Sequence, residues 1–84
     1  MTNELIQKFV ETKSQKSIPV NIHFKQRSTL KGVFIRTNDY DELRMKNFWR
    51  IVPATRAAEW EKTKDGNLAR IYNGAEFVRL TESN

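Results

Sequence analysis

A mainly-β single domain, with one N-terminal helix ahead of five strands, is the fold class that three features of the sequence predict. Leu5, Ile6, Phe9 and Val10 recur at helical spacing before Pro19. Ile18, Val20, Ile22 and Phe24 then alternate with Asn21, His23 and Lys25, which is the period of a strand with one buried face. Beyond Leu30 the apolar runs are short and separated by polar turn residues at 26–29, 64–67 and 73–74.

The helix is expected over about residues 3–14. Thr2 or Asn3 can cap it, Glu4 complements the positive end of its dipole, and Lys13 and Lys16 complement the negative end. Pro19 bars its continuation. Strand one follows from about Ile18, with His23 on its wet face. Strand two is read as Leu30 to Arg36, apolar on both faces in its middle and interrupted by Gly32. A glycine inside a strand marks a sharp bend or a close backbone approach, and a small barrel needs such a bend for one strand to serve a strongly curved sheet.

Strand three is expected from Tyr40 to about Phe48, with Leu43 and Met45 on the core side. Residues 53–63 admit two readings. Helix formers follow Pro53, yet Lys64-Asp65-Gly66-Asn67 resembles a tight hairpin turn that would make 57–63 a strand and bring Trp60 near Ile71. The hairpin is the favoured expectation. Leu68, Ile71 and Tyr72 then form strand four, Asn73-Gly74 turns the chain, and Glu76 to Thr81 forms strand five, so that the strands span about residues 18–81 of a single domain, 1–84.

A domain of 84 residues is small enough to bury only about 60% of the surface its unfolded chain exposes, which makes self-association a natural source of added stability. With no cysteine, neither disulfides nor thiolate metal sites are available. No apolar run has membrane-spanning length, and a cytoplasmic protein is expected. The net charge of +5 is unevenly spread. Lys13, Lys16, Lys25, Arg27, Lys31 and Arg36 fall between Glu11 and Asp39 with no acid among them. Such a one-signed stretch is the footprint of a surface that follows phosphates, or else a solvated basic face.

The segment from Ile18 to Met45 resembles the first motif of the Sm family. That motif has a glycine in the second strand, an aspartate-like residue six positions on, an aromatic two further, a polar residue after another two, then an aliphatic. Gly32, Asn38, Tyr40, Glu42 and Leu43 stand in those places. Ile71-Tyr72-Asn73-Gly74 followed by Phe77-Val78-Arg79-Leu80 is similar to the second motif. The layout, with a helix before a Pro-Val-led strand, most resembles the bacterial, Hfq-type branch of RNA chaperones.

The resemblance implies a helix followed by a five-stranded, strongly bent Sm-like (SH3-like) barrel. It also implies homo-oligomeric rings of five to eight subunits, closed by pairing strand four of one copy with strand five of the next, and single-stranded RNA as partner. Within the RNA-binding pocket so implied, Tyr40 is the stacking platform, Asn38 accompanies it in the first motif, Glu42 is the base-edge reader, and Asn73 with Gly74 forms the facing turn. Glu42 departs from the family's asparagine and, ionised, only accepts hydrogen bonds, which suits amino-bearing bases better than uracil. Asn73 replaces a cation. Lys13, Lys16, Lys25, Arg27 and Lys31 form a separate basic surface for RNA.

Catalysis is not expected, since one histidine, no cysteine and no nucleophile motif leave little equipment for it. No cofactor or metal is expected either, because Asp39, Asp41 and Glu42 lie in one turn with no partner histidine. Besides the RNA-binding ring, a structural or adaptor ring without a working pocket fits the substitutions at Glu42 and Asn73. A single-strand DNA-binding barrel of OB type is a third possibility, and would place a helix between strands three and four.

Overall fold

A computed structural model describes residues 1–13 and 19–82, with Lys13 described by its backbone alone. Helix α1, Asn3–Lys13, leads into strands β1, Val20–Phe24, and β2, Leu30–Phe34. Helix α2, Tyr40–Met45, precedes β3, Phe48–Pro53; helix α3, Ala57–Thr63, precedes β4, Arg70–Asn73; and β5, Phe77–Glu82, closes the order. Short 3-10 turns occupy Ala54–Arg56, Gly66–Leu68 and Gly74–Glu76. All pairings are antiparallel, in the strand order β4-β3-β2-β1-β5.

That order forces the sheet to curl. From Asn73 to Phe77 the chain can reach about 15 Å, whereas a flat sheet would put β4 and β5 about 19 Å apart. The only solution is a sheet rolled far enough to bring its two edges together. A bulge adds to the roll: His23 pairs with Arg79 but Phe24 pairs with Phe77, leaving Val78 extra in β5. The ladder itself stays open, since β4 pairs with β3 alone and β5 with β1 alone.

The inner face of the roll holds the main core. Ile6 and Val10 of α1 pack there with Val20, Ile22, Phe34, Trp49, Ile51, Phe77 and Leu80. Period-two alternation explains the β1 and β3 contributions, the extra residue Val78 sets Phe77 and Leu80 of β5 three apart, and the helical spacing of Ile6 and Val10 explains the helix stripe. A smaller cluster forms on the outer face, where Val33, Ile35 and Val52 are covered by Ala57 and Trp60 of α3 and by Leu68 and Ala69. The two-faced apolar character of β2 therefore has a physical cause: it is buried from both sides. Gly32 is a close-approach site, because a Cβ there would lie 2.7 Å from Ile51 Cγ2 and 2.9 Å from the Val52 carbonyl oxygen.

The structure corrects the middle of the sequence reading. The expected third strand over Tyr40 to Phe48 is instead α2 followed by the first residue of β3. Asp39 at the helix start, Asp41 and Glu42 in its first turn and Arg44 in its last suit the helix dipole. Asn47 then ends the turn in the left-handed region, φ 63°. Met45, expected on the core side, is 73% exposed. Residues 57–63 are helical rather than a hairpin strand, because Ala57-Ala58-Glu59 are good helix formers and Lys64 terminates the helix at φ 52°. Trp60 accordingly faces Val33, Ile35 and Val52, while Ile71 pairs with Arg50. Leu68 belongs to a 3-10 turn, not to β4. Among the described residues no helix is long and apolar enough to cross a membrane.

Candidate nucleic-acid interface

The curl creates a cleft that no single segment contains. Phe24 ends β1, Gln26 and Arg27 follow it in the turn, and Ile71, Tyr72, Asn73 and Glu76 face them from β4 and the 3-10 turn beyond. The cleft encloses about 430 Å³. The Phe24 ring is set edge-on to Phe77 at 5.3 Å and tilted against Tyr72 at 5.8 Å. Over both aromatics lies the Arg27 guanidinium, 5.0 Å from the Phe24 centroid and 5.6 Å from that of Tyr72. The Lys25 N–H donates to the Glu76 carbonyl at 2.9 Å, tying the β1–β2 turn to the far wall. Asn73 Oδ1 accepts from the Ala75 N–H at 2.9 Å, capping the 3-10 turn.

Two residues expected in separate sites, Arg27 and Asn73, thus line one cleft. Lys25, Arg27 and Lys31 are exposed, and none of the three forms an ion pair among the described residues. Lys16 lies outside the described residues.

Around Tyr40 the arrangement differs from an open stacking platform. Its ring packs against the main core, edge-on to Trp49 at 6.0 Å, and the Arg36 guanidinium sits 5.2 Å over it. Burial pushes its phenol above the ordinary value, with Arg36 pulling the other way, and the hydroxyl has no partner among the described residues. Glu42 is exposed and pairs with Lys46 at 3.7 Å. Asn38 is exposed in a second, shallower depression with Thr37, Asp39, Arg50, Gly66 and Asn67. Asp39 accepts from Arg50 at 2.7 and 3.2 Å and from the Thr37 hydroxyl. These bonds, Arg50 first, hold its carboxyl down to about 2.

Gly74 is buried, its N–H donating to the Asn47 carbonyl at 2.8 Å, and a Cβ there would collide with Asn47 and Ile6. The Asn73–Gly74 turn therefore meets the end of α2 rather than residues 38–42. Asn47 anchors the junction: its Oδ1 accepts from Trp49 Nε1 at 2.9 Å and its Nδ2 donates to the Met1 carbonyl at 3.1 Å. His23 sits between Thr29 and Thr81, with ring nitrogens 3.2 and 3.3 Å from their hydroxyls.

Phe24 and Tyr72 are not apparent as site residues from the sequence, where Phe24 reads as a core-facing position of strand one and Tyr72 only as part of strand four. Only their pairing across the curl, under an arginine from a third segment, gives them an exposed role. No family model, curated protein or solved structure matches the chain.

Proposed function

We propose that the chain is an Sm-like RNA-binding protein, a riboregulator or RNA chaperone that works in the cytoplasm and binds single-stranded RNA as a ring of five to eight copies. In this reading the rolled sheet is a strongly bent five-stranded barrel, and β4 of each copy pairs with β5 of the next. The helix-first order and the short 3-10 link between β4 and β5 support it. So do the exposed apolar side chains on the two edge strands, Ile71 at 49% and Val78 at 55% exposure. Two unpaired edges are satisfied together by a head-to-tail cyclic assembly.

The observation that carries the RNA reading is the exposure of Lys25, Arg27 and Lys31, with no ion pair among the described residues, in a stretch free of acids from residue 12 to residue 38. Phosphate contacts from such a surface make binding strongly salt-dependent. Fluorescence anisotropy with oligo-U RNA, oligo-A RNA and single-stranded DNA at two salt concentrations tests this. Submicromolar to micromolar binding at low salt that falls steeply at high salt is expected; no binding at low salt would overturn the reading.

A structural or adaptor ring is the second reading. It is favoured by Tyr40, whose ring is already engaged by Trp49 and Arg36. Ring formation without any RNA binding in the same titration would select it.

A further inference from the structure

We infer that the cleft between the β1–β2 turn and β4 is a stacking site for one base of single-stranded RNA, lined by Phe24, Arg27 and Tyr72 and separate from the turn at residues 38–42. The inference rests on the RNA-binding reading above and deepens it by naming where a base is held.

Three observations meet there. Phe24 and Tyr72 are half-buried rather than buried, so each has ring surface both supported by the core and open to the cleft. Arg27 lies across both rings at 5.0 and 5.6 Å. A guanidinium is planar, and the exposed Arg27 side chain can swing off the rings and cover the outer face of a base stacked on them, an arrangement that tolerates any base. The third observation is charge. Lys25 and Arg27 are consecutive exposed cations on the turn that forms the rim, with Lys31 four residues beyond Arg27. They offer the flanking phosphates a path on the side where the base enters.

The polar groups of the cleft suit either kind of base. Glu76 on the wall, when ionised, accepts from a ring N–H or an amino group. Asn73 has committed its Oδ1 to the Ala75 N–H, which leaves its Nδ2, with the Gln26 amide and the Arg27 guanidinium, to donate to carbonyl oxygens. The cleft therefore holds a base by stacking and does not choose between adenine and uracil.

Titration of ¹⁵N-labelled protein with hexa-adenylate and, in parallel, hexa-uridylate tests the site residue by residue. The expected result is that amide shifts cluster at residues 24–27, 71–73 and 76 with both RNAs. Arg27→Ala should weaken adenylate binding about five-fold or more without disturbing the rest of the spectrum, since Arg27 is exposed. Tyr72→Leu keeps apolar packing on Phe24 without the ring and should bind more weakly.

Shifts centred on residues 38–42 would overturn the cleft while leaving RNA binding intact. Shifts in these amides with protein concentration alone, and none with RNA, would assign the cleft to a second copy of the chain. No response to either RNA at low salt would overturn both the cleft and the function it rests on.

Discussion

Asp39 ties the start of α2 to β3 through its two bonds from Arg50, and its carboxyl titrates well below the ordinary value of 3.8. A carboxyl with a depressed folded-state value stabilises the fold fully above the unfolded value. That contribution is lost as pH falls from about 4 toward 2. Thermal melts across this window should show a stability loss that Asp39→Asn largely abolishes. At Gly32 the neighbours are a branched side chain and a backbone carbonyl, neither able to give freely. Gly32→Ala should cost about 1–3 kcal/mol in urea denaturation, the usual range for overpacking. The importance of Gly32 was legible from its place in an apolar run, but the close approach to Ile51 was not, because it depends on the register Gly32 with Pro53.

At the level of elements, α1 and β1 could be read from the chain because each carries a clean period, and β2 and β5 because their apolar runs are bounded by polar turn residues. The misread segments are short: α2 has six residues and α3 seven. In so few residues a helical and an alternating pattern share most positions. Tyr40 and Leu43, three apart, fit one face of a helix, and Asp39, Asp41, Glu42 and Arg44 carry the terminal charge signals, which were the better guide. Likewise Asp65-Gly66 looked like a hairpin turn, whereas it begins a 3-10 turn capped by the Asp65 side chain, which accepts from Asn67 N–H at 2.9 Å. Lys64, at φ 52°, carries the strain of ending α3. Lys64→Gly relieves it at the loss of two exposed contacts, to Glu61 and Trp60, that contribute little. A net gain of about 1 kcal/mol is expected, read as a higher melting temperature.

For the whole molecule, the decisive feature is the three-residue link that brings β4 and β5, the two edges of the sheet, close together. The curl it imposes sets Tyr72 against Phe24, and no local pattern in the sequence carries that contact. What the sequence did carry is the charge map, since an acid-free stretch is visible before any fold is known. If the ring reading holds, Val78→Glu on the β5 edge should convert the assembly to monomers by sedimentation velocity, while the helical and strand content stays unchanged. A parent protein already monomeric at micromolar concentration would remove the ring.

In the proposed function phosphates are met by Lys25 and Arg27 of the β1–β2 turn and Lys31 of β2, and the salt dependence of RNA affinity tests this. Among the described residues Lys25 and Lys31 have no ion pair to lose, so Lys25→Gln with Lys31→Gln leaves the fold intact. Each phosphate contact to a single strand contributes about 0.7 to the slope of log affinity against log salt. The account predicts a slope shallower by about 1.4 in the double variant than in the parent. An unchanged slope, with the protein folded and RNA still bound, would contradict it.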